Sequence, residues 1–234
     1  MACGGILTPA QATTYPTGMT RRLELQGHRG ARGLFPENTV FGFAGALAIG
    51  VDTLELDAGC TADDVVVVTH DPRLNPDLTR CGGRWLDGPG PAIRSLHSAA
   101  LAAYDVGRIR PGSTYAARYP DQTACDGARI PTLADVVRLD ADVRFNVELK
   151  SFPVQPGLTV EGERMAEAVL AVADAAGVTD RLIVQSFDWR GPRRLRRLHP
   201  KVALAWLTQS ATLLQARSWW DGPHPADFGG SVRR

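Results

Sequence analysis

An α/β fold built on a parallel sheet is predicted by three observations. Short apolar, β-branched runs recur along the chain and alternate with helix-like or irregular segments, the pattern of strands lying under crossover helices. One run, Val65 to Thr69, is apolar up to its final Thr, which suits a strand buried on both faces. The 234 residues are also enough for one large domain or two smaller ones.

Leu23 to Gln26 reads as the first strand, ending at Gly27-His28-Arg29-Gly30. A helix follows from Asn38 to Ala48, with Asn38 as N-cap and Phe41, Ala44, Leu47 and Ala48 on its buried face, and Gly50 stops it. Thr53 to Ala58 is strand two, Asp63-Asp64 a tight turn, and Val65 to Thr69 strand three, expected to be parallel rather than half of a hairpin. From Asp71 to about Pro131 the periodicity vanishes among scattered Gly and Pro, and so long an irregular stretch is expected to be functional. Thr132 to Leu139 is a short helix, Val143 to Leu149 strand four, Val160 to Ala176 an amphipathic helix and Leu182 to Phe187 strand five. Arg190 to Leu198 is a basic helix, Val202 to Leu207 strand six, and a last short helix lies around Leu213 to Trp220.

Composition narrows the functional classes. An apolar fraction of 44% is that of an ordinary globule, and no run of about 18 apolar residues is present to span a bilayer. With 26 basic against 25 acidic side chains and no basic block, neither nucleic acid nor anionic lipid is the expected main partner. Every basic residue except Lys150 and Lys201 is Arg, which makes a Lys inside a strand motif conspicuous. Cys3, Cys60, Cys81 and Cys125 form no CxxC and no metal-like spacing; Cys81 and Cys125, both in the Gly/Pro-rich stretch, are the pair that an oxidising compartment could join, and free thiols are the alternative. Residues 1 to 18 read as a leader or partial signal segment, because Ala10-Gln11-Ala12 has the form of a cleavage site, although no basic region precedes it. These features point to a periplasmic or secreted protein, with a cytoplasmic one as the alternative, and leave residues 19–234 for the folded domain.

Chemistry is concentrated at strand ends. In Leu54-Glu55-Leu56-Asp57 the alternation of strand side chains sends Glu55 and Asp57 to one side. Two carboxylates aimed together call for a bound cation or a shared proton; the alternative is an exposed strand face paired with Arg. Strand four repeats the device with Asn146, Glu148 and Lys150, so that a closed sheet would bring three carboxylates to its carboxyl end. Such oxygen-only ligands select a hard cation, Mg2+ or Ca2+, over zinc. His28 and His70 both follow strands, where parallel α/β sheets place their sites, and two imidazoles suit general acid and base work. Arg29 and Lys150 supply fixed positive charge for an anionic substrate, phosphate being the natural candidate. His97, His199 and His224 are left as structural.

Five motifs in order resemble the glycerophosphodiester phosphodiesterase family: His28-Arg29-Gly30, Pro36-Glu37-Asn38-Thr39, Glu55-Leu56-Asp57, Val66 to Asp71, and Val147-Glu148-Leu149-Lys150. Gln185-Ser186-Phe187-Asp188 is also similar, which extends the resemblance to about residue 208. It implies a (β/α)8 TIM-type barrel, one divalent cation held by Glu55, Asp57 and Glu148, and His28 and His70 as the catalytic acid and base. Arg29 and Lys150 would lie near the phosphate, and the segment at about 71–131 would be an insertion over the barrel mouth, shaping the alcohol side of the pocket. The implied reaction is hydrolysis of a small-molecule glycerophosphodiester to sn-glycerol 3-phosphate and an alcohol, within lipid and glycerol metabolism.

The chain departs from that pattern in one respect. A barrel of this kind has eight strands, whereas six are visible here and the family's final Trp-containing strand motif is absent, so the expectation is an incomplete barrel lacking its C-terminal strands. Two other readings compete: a phospholipase D-like barrel acting on phospholipid headgroups, and a non-catalytic remnant that keeps the pocket. Neither headgroup nor oligomeric state is written in the sequence.

Overall fold

The computed structural model describes residues 23–139, 142–220, 222 and 227. The expected leader, Cys3 and His224 lie outside these residues. In chain order the elements are β1 (Gln26–His28), α1 (Val40–Ile49), β2 (Thr53–Cys60) and β3 (Val66–Val68). Within the segment 71–131 follow β4 (Arg80–Cys81), β5 (Arg84–Trp85), β6 (Tyr104–Asp105) and α2 (Thr114–Arg118). Then come α3 (Leu133–Val137), β7 (Arg144–Leu149), α4 (Gly162–Ala175), β8 (Leu182–Ser186), α5 (Arg190–Leu198), β9 (Ala203–Trp206), α6 (Ser210–Leu214) and α7 (Ala216–Trp219).

The main sheet has the order β1-β2-β7-β8-β9 with every pair parallel, and β3 pairs with β2 alone. These are consecutive barrel strands joined by crossovers, the wall of a (β/α)8 barrel, and the sheet does not close on itself among the described residues. Register fixes the site: Glu55 lies opposite His28 on one side and Asn146 on the other, while Asp57 lies opposite Glu148, which faces Gln185.

One face of the sheet is the core. Leu54, Leu56, Phe145, Val147 and Val184 are fully buried there, beneath α1, α4 and α5. Each such side chain stabilises the fold by roughly 1.5–3 kcal/mol relative to exposure. The amphipathic α4 buries Met165, Ala166, Val169, Leu170 and Ala173, the spacing of a single helical stripe. Basic α5 turns Leu195 inward and sends Arg194 and Arg197 to Glu167 and Glu163 on α4, at 2.6 and 3.0 Å.

Several expectations are corrected. The third strand is antiparallel, with Ala58 opposite Val68, because only residues 61–65 separate it from β2 and a parallel crossover needs about a dozen. The main sheet therefore has five parallel strands and one antiparallel strand, not six parallel ones. The first strand begins at Gln26, with Leu23 and Leu25 exposed. Helix α1 buries Gly42, Phe43 and Ala46 in place of the expected face, and Phe41 is exposed. Its N-cap is Thr39, whose hydroxyl accepts from the Gly42 N–H at 3.0 Å, and not Asn38. The last helix is two short ones, α6 and α7.

The segment 71–131 is not structureless. β5, β4 and β6 form a small antiparallel sheet, and Leu74, Ile93 and Leu101 build a second core against Val67. Cys60, Cys81 and Cys125 are free thiols, so the disulfide considered for Cys81 and Cys125 is not formed.

Candidate active site

β1, β2 and β7 and the residues just beyond them carry all the predicted residues but His70, which follows β3, and the sheet register brings most of them together. Glu55, Asp57 and Glu148 each offer an oxygen, and these oxygens lie within 4.8 Å of one another. All three residues are at least nine-tenths buried. Three carboxylates cannot stay ionised at such spacing without positive charge, and two cations are close. Lys150 Nζ lies 2.7 Å from Glu148 Oε1 and 3.7 Å from Asp57 Oδ1, and Arg29 Nε lies 3.2 Å from Asp57 Oδ2 without being aligned as a hydrogen bond. Charge remains uncompensated. Burial, followed by the neighbouring Asp57 charge, pushes the Glu55 carboxyl up to about 7.

The β1–α1 loop is shaped to deliver Arg29 to this cluster. Arg29 adopts φ 55°, and its backbone N–H donates to Glu55 Oε2 at 2.9 Å. Gly30 follows at φ 83°, where a Cβ would come within 2.8 Å of the Gly42 backbone, and a Cβ on Gly42 would in turn overlap the Pro36 carbonyl. The loop can therefore lie against α1 only because both residues lack side chains. Asn38 at φ 53° is buried and donates from Nδ2 to Asp57 Oδ2 at 2.9 Å. Gln185 on β8 donates to Glu55 Oε1 at 3.1 Å.

The histidines sit at the rim. His28 Nε2 lies 3.8 Å from Glu55 Oε2, and burial, with Arg32 and Arg29 nearby, brings its imidazole down to about 4. His70 is held through Nδ1 by Asp71 Oδ1 at 2.7 Å, and Asn75 donates to the other Asp71 oxygen at 2.6 Å. Burial alone would raise the Asp71 carboxyl, but the hydrogen bonds from His70 and Asn75 prevail and hold it below the usual range. The Thr69 N–H donates to the Asp57 carbonyl at 2.9 Å, tying the His70 strand end to β2. His97 and His199 lie away from this cluster, near Asp63 and Asp174.

The donor set fits a hard divalent cation. Its oxygens come from carboxylates alone, they converge, and Asp57 Oδ1 is buried with no hydrogen-bond partner. Sequence reasoning gave Glu37, Asp71 and Gln185 no role beyond motif membership, read Asn38 as the cap of the helix, and did not single out Asn75. Gln185 was within reach, because alternation along the strand sends it to the face opposite Leu182 and Val184, which lie in the core. Asn38 was hidden by Thr39, since either residue makes a good helix cap.

A family model described as the glycerophosphoryl diester phosphodiesterase family matches residues 28–229. YhdW of Bacillus subtilis, assigned to the same activity, is 32% identical over 184 residues, which are 78% of this chain and 64% of that protein. A crystal structure from Silicibacter pomeroyi, assigned likewise, superposes with a TM-score of 0.75 at 37% identity over 81% of this chain and 66% of that one. A phosphodiesterase from Oleispira antarctica, solved in complex with the product sn-glycerol-3-phosphate, gives a TM-score of 0.60 at 25% identity and covers 83% and 71% of the two chains. The chain thus spans about two thirds of the length of the proteins it matches.

Proposed function

The chain belongs to the glycerophosphoryl diester phosphodiesterase family, and from that premise we propose that it hydrolyses glycerophosphodiesters to sn-glycerol 3-phosphate and a free alcohol. The observation that carries this reading is the convergence of three buried carboxylates beside two cationic side chains, with one carboxylate oxygen left without a partner. Glu55, Asp57 and Glu148 would hold one divalent cation, Ca2+ or Mg2+. When bound, that cation supplies Lewis-acid charge neutralisation at the phosphodiester.

The chain's own residues do the rest. Arg29 and Lys150 offer N–H donors to the phosphoryl oxygens and stabilise the charge that gathers there. One histidine takes the proton from the attacking oxygen, either a water or the neighbouring glycerol hydroxyl, as the new O–P bond forms. The other gives a proton to the alcohol oxygen as its P–O bond breaks. The lowered pKa of His28 supports it as the base, since the ring is neutral near pH 7. Asp71 fixes the His70 ring through Nδ1, which leaves Nε2 as its reacting atom.

The test is release of glycerol 3-phosphate from glycerophosphocholine by the 234-residue chain with Ca2+ or Mg2+, then with EDTA. Turnover that EDTA abolishes, and that His28→Ala or His70→Ala lowers by about 10²- to 10⁴-fold, is the expected outcome. Thermal stabilisation by the cation without turnover would instead leave a binding protein that keeps the pocket.

A further inference from the structure

We propose that Tyr115, carried by the insertion, is a positioning residue that keeps the Arg29 guanidinium available to an anionic ligand, an inference that rests on the reading of Arg29 given above. The Tyr115 hydroxyl donates to Glu37 Oε2, and the other Glu37 oxygen receives Arg29 Nη1 at 3.0 Å. Arg29 Nε is turned toward Asp57. Nη2 makes no hydrogen bond among the described residues, so it is the donor left for a ligand.

The chemistry of the pair explains why the hydroxyl matters. A carboxylate facing a guanidinium gains most by gripping it with both oxygens, taking two nitrogens at once. Here one oxygen is already engaged by Tyr115, so Glu37 holds Arg29 through a single oxygen. Both partners are almost out of solvent, with side chains 11% and 8% exposed, and water cannot readily substitute for the hydroxyl. Without it, Glu37 is free to rotate into the two-oxygen grip and draw Nη2 away from the phosphate position.

Placement of Tyr115 does not depend on its hydroxyl. Its ring meets Tyr119 edge-on at 5.2 Å, and the Tyr119 face receives the Arg32 guanidinium at 5.2 Å. Just beyond α2, Gln122 Nε2 donates to the Arg32 carbonyl at 2.7 Å and the Thr123 N–H to the Leu34 carbonyl at 2.8 Å. Three contacts independent of the hydroxyl therefore clasp the insertion to the loop that carries His28 and Arg29.

Calorimetric titration of the full Ca2+-loaded chain with sn-glycerol 3-phosphate tests this. Tyr115→Phe should weaken binding by about threefold to tenfold with the fold intact, while Tyr119→Phe leaves it unchanged. Adding Glu37→Gln to Tyr115→Phe should restore the affinity, because an amide has one acceptor oxygen and cannot form the two-oxygen grip. Equal affinity in wild type and Tyr115→Phe would overturn the inference, and so would a loss that the double variant does not relieve. Turnover of glycerophosphocholine by the same samples separates the two readings. Affinities that respond as expected without turnover would remove the phosphodiesterase reading and keep this one, whereas turnover with unresponsive affinities would do the reverse.

Discussion

The two faces of β2 and β7 are built from adjacent residues and do opposite work. Leu54, Leu56, Phe145 and Val147 point to the helices, while Glu55, Asp57, Asn146 and Glu148 point away from them, and both sets are almost completely buried. Burial of the first set stabilises the chain by removing apolar surface from water. Burial of the second costs stability, because charges lose solvation and repel one another. The strand therefore carries a stabilising face and a reactive face one residue apart, and the first offsets the cost of the second.

The largest change in stability is expected on the apolar face. Phe145→Ala removes a fully buried ring beneath the helices and should cost about 3–5 kcal/mol in urea unfolding, with the carboxylate positions untouched in sequence. A loss below about 1 kcal/mol would mean that this face does not carry the fold.

On the reactive face the expected effect is smaller and depends on pH. The folded Glu55 carboxyl titrates at about 7 and an unfolded one near 4.5, so between these values the folded chain holds the additional proton. With EDTA present, stability should fall as pH rises from about 4.5 to 7, by up to about 3 kcal/mol from this group. His28 opposes it: its folded value of about 4 lies below the ordinary 6.5, so its contribution weakens as pH falls through that window. His28→Asn should therefore unmask the Glu55 slope, read as urea midpoints at pH 5 and pH 7. If that variant stays as flat as the wild type, the reactive face carries no such strain.

The smallest effect concerns another pair of neighbours, Asn38 and Thr39. Thr39→Ala removes the cap of α1 and should cost about 1 kcal/mol of thermal stability while leaving Ca2+ affinity in place. Asn38→Ala removes a hydrogen bond to Asp57 and should weaken Ca2+ affinity instead. Identical profiles for the two variants would dissolve the distinction between cap and site.

Strand alternation made the reactive face legible in the sequence. The rule of two put Glu55 with Asp57 and Glu148 with Lys150, and the order of the motifs placed them on neighbouring strands. Helix α1 resisted because Val40 to Ile49 is apolar or small on every side, so no stripe marks the buried face. The direction of β3 could have been read from its short connection, but an apolar run alone suits either pairing. The small sheet and second core of the segment 71–131 rest on two-residue strands and scattered aliphatic residues, too short to leave a period. Tyr115 and Glu37 are far apart in sequence, and nothing local joins them.

The Gly30 and Gly42 contact places an unusual constraint on sequence drift. Any side chain at either position meets backbone, which cannot swing aside as a side-chain tip can, and the displaced segment is the one that holds Arg29 against Asp57. Among the positions least tolerant of substitution in this site are therefore two that offer no functional group, and a survey of inactive variants would find the site's outline partly drawn by residues that have no side chain to react.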